Sequence, residues 1–117
     1  MGNFQELRVW QNAKEITIKI YKITKNQDFS KDLGLRDQIQ RSAVSIASNI
    51  AEGDELGSEK QSIRHFHIAK GSLAELMTQL IIANEIGYID NINKISLLDD
   101  CDKLSAMLRK LIKSRMM

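Results

Sequence analysis

Histidine and cysteine supply most protein metal ligands and catalytic nucleophiles, and this chain has them at three positions only: His65, His67 and Cys101. On a helix, two histidines spaced two residues apart point about 160° away from each other, so they are not expected to bind one metal ion together. Neither histidine follows a glutamate by three residues, which is the spacing found in di-iron helical bundles. The histidines therefore do not predict a metal site.

A short acidic segment is the other group that could hold a cation. Asp54, Glu55 and Glu59 lack the ligand spacing and the glycine of an EF-hand loop, so we expect solvated loop charges. The sequence also has no phosphate-binding glycine motif and no GxSxG nucleophile motif. These observations predict a protein that is not an enzyme and that uses no cofactor or metal.

The composition indicates which elements hold these residues. A chain of 117 residues with 43% hydrophobic and 27% charged residues fits one globular domain over residues 1–117. Proline is absent and there are only 6 glycines, which favours long helices. A single cysteine cannot form an internal disulfide, so a reducing, cytoplasmic location is expected. No apolar run approaches the ~20 residues of a membrane span, and no membrane partner is predicted.

The spacing of apolar residues predicts two amphipathic helices in the first half of the chain. The first is expected over Phe4–Lys25, where Asn3 and Glu6 have the spacing of a capping box. The second is expected over Leu35–Glu52. Gly53 is then expected to end it in a left-handed conformation.

Two further helices are predicted in the second half. The third is the longest and is expected from Ser58, with Gln61 completing a capping box, to Ile86, where Gly87 closes it. The fourth is expected over Asn93–Ser114. Short connections between four such helices predict an all-α, antiparallel, up-down-up-down four-helix bundle.

The apolar stripes of the four helices predict the core of this bundle. Phe29 lies in a polar connection and is expected to close one end. Cys101 lies in the middle of an apolar stripe and is expected to be a buried small hydrophobe, not a reactive thiol. The residues expected to be mostly buried are Trp10, Ile20, Ile46, Leu73, Leu80, Leu104 and Leu108.

Two surfaces are unusual for a monomeric bundle. One side of the second helix carries small and amide side chains, and the third helix has an apolar side opposite its core stripe. Gly71 is expected to allow a close approach, for example by the serine-rich side of the second helix. We therefore predict an oligomer interface at Arg41, Ser45, Ser48, Asn49, Glu52, Ile68, Gly71, Ile82 and Ile86. A merely exposed serine-rich face is the alternative.

The charge is unevenly distributed along the chain. Residues 51–102 carry a net charge of −6, whereas residues 103–117 carry +5 with no acidic residue. The basic residues are candidates for contacts with nucleic acid phosphates: Lys103, Arg109, Lys110, Lys113 and Arg115. The alternative is that they only complement the dipole of the last helix.

Three segments carry a resemblance to a known family. QIQRSAVSIASNIAEG, with VWQNA before it and IAKGSLAELMTQLIIANEIGYI after it, resembles the bacterial four-helix bundle family encoded in intervening sequences of 23S ribosomal RNA genes. A similar bundle is the accessory protein of diversity-generating retroelements, which partners a reverse transcriptase. The resemblance extends from Leu7 to Leu111. Two positions depart from the family pattern, which often has proline at Ala47 and a second arginine at Gln40.

The resemblance implies a left-handed bundle that assembles as a ring-shaped homopentamer, and RNA or DNA binding without catalysis. Two hypotheses follow. In the first, the protein is a homo-oligomeric ring that acts as a nucleic-acid or ribonucleoprotein accessory module. In the second, it is a protein–protein adaptor with no role in nucleic-acid binding, which the low aromatic content of 5% favours.

Overall fold

A computed structural model describes residues 3–56 and 58–116. Within these ranges the chain has no β-strand, and no helix there is long and apolar enough to cross a membrane. The prediction of an all-helical protein is confirmed. A 3₁₀ turn is followed by five α-helices: Phe4–Glu6, then α1 (Arg8–Ile23), α2 (Gln27–Lys31), α3 (Leu33–Glu55), α4 (Glu59–Glu85) and α5 (Asn91–Arg115).

The four long helices enclose one elongated core. Helix α1 packs against α3 and α5, and α4 packs against the same two helices. Along α1, the Thr17 hydroxyl donates to the Ala43 carbonyl over 3.1 Å, and Thr24 accepts from Gln40 at 2.9 Å, so α1 and α3 run antiparallel. The molecule measures 45 × 22 × 21 Å. The left-handed twist stays a prediction.

Burial follows the predicted apolar stripes. Six of the seven residues expected in the core are buried: Ile20, Ile46, Leu73, Leu80, Leu104 and Leu108. Trp10 is only partly buried, because its ring lies at the edge of the core, with Phe4 against it at 5.2 Å and Lys14 over it at 5.4 Å. Cys101 is fully buried, and this burial raises the pKa of its thiol to about 12.

The first predicted helix is divided in the structure. Its first turn is the separate 3₁₀ turn, and α1 begins only at Arg8 because Leu7 has extended backbone angles. The capping box expected at Asn3 was wrong, since its side chain makes no capping hydrogen bond. The polar connection after α1 contains the short helix α2. There Phe29 is fully buried with its ring 5.2 Å from that of Tyr88, so it closes one end of the bundle as predicted.

The predicted helix ends at Ser58 and Gly87 are confirmed, whereas the caps that Asp32 and Asp90 provide were missed. Ser58 accepts a hydrogen bond from the Gln61 amide at 3.2 Å, and Gly87 has φ +93°. Helix α3 is longer than expected because Asp32 caps it through the Leu35 amide and the helix continues to Glu55. The prediction that Gly53 ends this helix was wrong.

Candidate interaction surfaces

Polar side chains join α3 to α4 along their contact. The hydroxyls of Ser45 on α3 and Ser72 on α4 are 2.8 Å apart. Within α3, the side-chain amide of Asn49 donates to the Ser45 carbonyl at 2.9 Å. His65 Nδ1 lies 2.9 Å from Asn49 Oδ1 and 3.2 Å from Glu52 Oε2. Three of these residues were predicted interface positions. The structure places part of that set in contacts within the chain, and sequence reasoning missed His65 as their partner.

Helices α3 and α4 approach each other closely at Gly53. A methyl group added there would lie 2.5 Å from Phe66 Cε1, which is closer than such atoms approach in proteins. The Ser62 hydroxyl donates to the Gly53 carbonyl over 2.6 Å in the same buried contact. Gly53 therefore serves the packing of two helices, although in the sequence the polar residues after it resemble a helix end.

Arg41 lies at a polar cleft between α3 and α4, shared with Glu75 and Gln79. None of the ion pairs of the described residues contains Arg41, and Glu52 lies against His65. The Ser42 hydroxyl points to Glu75 at 3.5 Å across the cleft. The residues that line this cleft are all polar.

An apolar depression runs between α1 and α3, and we call it the α1/α3 groove. Apolar atoms form nearly all of its surface, and Ile18 and Val44 are 47% and 42% exposed within it. The sequence analysis missed Ile18, since a single apolar residue on the polar side of α1 is a weak signal. The groove is lined by Phe4, Trp10, Lys14, Thr17, Ile18, Val44, Ala47, Ser48 and Ala51.

The outer side of α4 carries the second exposed apolar surface, which we call the α4 ridge: Ile68, Gly71, Ile82 and Ile86. The three isoleucines are 42%, 44% and 53% exposed. The expectation that Gly71 admits the serine-rich side of α3 was wrong within the chain, because a methyl group added at Gly71 would have nothing within 4 Å. Its neighbour Ser72 makes the contact with α3 instead.

The basic residues of α5 do not share one surface. Lys110 and Lys113 are exposed, and with Lys103 they fall on one side of the helix at about 100° per residue. Arg115 points elsewhere. Its guanidinium pairs with Asp54 at 3.0 Å and lies 5.4 Å from the centre of the Phe66 ring, because the ends of α3 and α5 meet at this end of the bundle.

The two remaining basic residues of α5 have partners on their own helix. Lys103 pairs with Asp99 at 3.0 Å, and this carboxylate raises the pKa of the Lys103 ammonium above its ordinary value. Arg109 donates to the Ser105 hydroxyl at 3.0 Å. Both side chains remain accessible at the surface, so these contacts do not remove them from a phosphate-binding surface.

Comparisons with known proteins place the chain in a family. No curated protein matches it. A solved structure from Bacteroides thetaiotaomicron, described as a protein of unknown function from the S23 ribosomal protein family, is similar with a TM-score of 0.82 and 27% identity. That likeness covers 90% of this chain and 98% of the other. The 23S rRNA-intervening sequence protein family matches residues 5–110, and the chain therefore belongs to that family.

Proposed function

We propose that this protein is a non-catalytic, homo-oligomeric bundle that acts in the cytoplasm as an accessory module for RNA or another nucleic acid. The observation that supports this proposal best is the pair of separate apolar surfaces on one small chain, the α1/α3 groove and the α4 ridge. The family name, which refers to 23S rRNA, supports the nucleic-acid part.

Self-association is the first part of the proposal. A soluble monomer rarely exposes large contiguous apolar patches, and covering these isoleucines with a second copy removes them from water. A closed ring satisfies both surfaces on every copy, and five copies is the number that the family resemblance implies. Light scattering at micromolar concentration tests this. A mass near the 13.3 kDa of one chain would contradict it.

The absence of catalysis rests on the side chains that the structure brings together. In the parts of the chain that the structure describes, no three His, Cys, Asp or Glu side chains form a group that could hold a metal ion. Cys101 is buried and its pKa is raised to about 12, so its thiol is neither accessible nor ionised at neutral pH. We assign no reaction to these residues.

Nucleic-acid binding is the second part of the proposal. Lys110 and Lys113 are exposed at the basic end of α5, in a segment of net charge +5. One copy makes few phosphate contacts. An oligomer presents Lys110 and Lys113 once in every copy, so the weak binding energies of the individual contacts add. Because such binding releases counterions, its logarithmic affinity should fall linearly with the logarithm of salt concentration.

Retention of single-stranded RNA on a filter tests this part. The variant Lys110→Gln/Lys113→Gln should bind more weakly and with a shallower salt dependence. The control is Lys25→Gln/Lys31→Gln, which removes the same charge from two exposed residues, one before α2 and one at its end, and should leave retention unchanged. Equal retention by both variants, or no retention by the unmodified protein, would contradict RNA binding.

The adaptor hypothesis remains the second candidate. Single-strand binders use exposed aromatic rings for base stacking, whereas here Trp10 is half-buried in an apolar groove. This observation favours a polypeptide partner. A pull-down with and without nuclease distinguishes the two, because partners that persist after nuclease treatment support the adaptor and partners that vanish support the nucleic-acid module.

A further inference from the structure

The polar cleft between α3 and α4, which we call the α3/α4 cleft, has the features of a small binding site. Ser42 and Ser72 are buried at its inner side. Arg41 on α3 and Glu75 on α4 are exposed at its opposite sides. Its volume is about 310 Å³, which is at the lower end of the range for small-molecule sites.

The two charges of the cleft do not neutralise each other by direct contact. Among the described residues, no ion pair contains Arg41 or Glu75. A guanidinium without a partner offers parallel N–H donors that fit a carboxylate, and a carboxylate without a partner accepts hydrogen bonds from an ammonium group. A ligand that carries both charges close together would therefore satisfy both side chains.

An unpaired acceptor lies beside Glu75. The side-chain oxygen Oε1 of Gln79 is buried and has no hydrogen-bond partner among the described residues, whereas most buried polar atoms in proteins have one. Gln79 follows Glu75 by one helical turn on the same side of α4, and its side chain lines the cleft, so a rotation of its amide presents this oxygen to a ligand.

Three acceptors thus surround the Glu75 side of the cleft. The Ser42 hydroxyl lies 3.5 Å from Glu75 Oε2, which is long for a hydrogen bond, and its oxygen can also accept. An ammonium group has three N–H donors. The Glu75 carboxylate, Gln79 Oε1 and Ser42 Oγ match these three donors.

Other small ligands fit the α3/α4 cleft less well. A nucleobase needs aromatic or apolar contacts for the faces of its ring, and no such side chain lines this cleft. A phosphate would face repulsion from Glu75. A peptide carries its ammonium and its carboxylate at opposite ends, whereas a free α-amino acid carries both on one carbon atom.

We propose that the α3/α4 cleft binds a free α-amino acid with a small polar side chain or none. Its carboxylate binds Arg41, and its ammonium group binds Glu75, Gln79 and Ser42. The polar lining leaves no apolar surface for a large hydrocarbon side chain. This site is additional to the proposed nucleic-acid role and does not depend on it.

Isothermal titration calorimetry with glycine, serine, asparagine and glutamine tests this inference. At least one of these amino acids should bind saturably to the unmodified protein. Arg41→Gln and Glu75→Gln should each weaken that binding by about tenfold or more, because each removes hydrogen bonds between charged groups. The control variants Arg8→Gln and Glu59→Gln remove the same charges from exposed residues outside the cleft and should leave the binding unchanged.

Derivatives of the bound amino acid test the two contacts without changing the protein. The N-acetyl derivative lacks the ammonium group and the amide derivative lacks the carboxylate, so both should fail to bind. This arm also decides the question if a variant does not fold. No saturable binding, undiminished binding by Arg41→Gln and Glu75→Gln, or equal binding of the derivatives would each overturn the inference, while filter retention of RNA tests the proposed function separately.

Discussion

The two sides of α4 differ in how their residues are packed. Toward α3, the helix packs through Phe66 under Gly53, through the buried Ser62 and through the Ser72 hydroxyl. On its outer side the same helix carries exposed isoleucines and the open Gly71. On the first side each unusual residue has a partner within the chain. On the second side the isoleucines stay about half exposed, and Gly71 has free space beside it.

This difference separates residues that serve the fold from residues that serve contacts with other molecules. A glycine with no space beside it is explained by packing, whereas a glycine with free space beside it is not. The same holds for apolar side chains, because a buried leucine stabilises the bundle and a half-exposed isoleucine contributes much less. Substitutions on the two sides of α4 should therefore change the free energy of unfolding by different amounts. In one pair of substitutions the two changes should also have opposite signs.

The largest difference is expected for apolar side chains. Leu73→Ala should lower the free energy of unfolding by about 2–5 kcal/mol, because the side chain is 2% exposed and leaves a cavity. Ile82→Ala should change it by less than about 0.5 kcal/mol in the isolated chain, since Ile82 is 44% exposed.

Urea denaturation at two protein concentrations measures both effects. The loss in Leu73→Ala should not depend on concentration, whereas any loss in Ile82→Ala should grow where copies associate. Equal, concentration-independent losses would mean that the two sides of α4 do not differ.

Gly53→Ala should give the next largest effect. The added methyl group would meet the Phe66 ring at 2.5 Å, and overpacking of this kind costs about 1–3 kcal/mol. Urea denaturation measures the loss. In a Phe66→Leu background the same substitution should cost less, because the smaller side chain makes room. A Gly53→Ala protein as stable as the unmodified one would show that α3 and α4 separate easily here.

The core could be predicted from the sequence because burial follows a period. Ile46, Leu80 and Leu104 recur on apolar stripes, and a stripe of that width must face other helices. The capping residue Ser58 was also predicted correctly, whereas Asp32 and Asp90 were missed. Asn3 failed because a capping pattern is not sufficient for a cap, and Leu7 interrupts the helix after it.

The contacts between helices could not be predicted in the same way. Periodicity places Asn49 on a side of α3 and His65 on α4, but the rotation of one helix against the other decides whether they meet. The role of Gly53 was predicted wrongly because glycine is favoured both at helix ends and where two helices come close together. The pairing of Arg115 with Asp54 depends on which helix ends meet, and no local pattern contains that information.

Ser62→Ala tests the polar part of the contact between α3 and α4. The substitution removes the hydrogen bond to the Gly53 carbonyl, which is 2.6 Å long and buried, and should cost about 0.5–1.5 kcal/mol. Thr78→Ala is the control, because its hydroxyl bonds the Ala74 carbonyl at 2.9 Å on the exposed side and should change stability by less than about 0.5 kcal/mol. If urea denaturation gave equal losses of stability for the two variants, burial would not increase the contribution of the Ser62 hydrogen bond to stability.

Gly71→Ala should give the smallest effect, and one of opposite sign to Gly53→Ala. Gly71 is exposed within α4 and has free space beside it, so the methyl group meets nothing and the more restricted unfolded chain favours folding. We expect the free energy of unfolding to rise by about 0.4–1 kcal/mol when copies are dilute. If a neighbour packs against the α4 ridge, the methyl group would weaken assembly at higher concentration, which light scattering would detect as a smaller mass. A loss of stability at high dilution would contradict the open outer side of α4, because a clash would then have to come from within the chain.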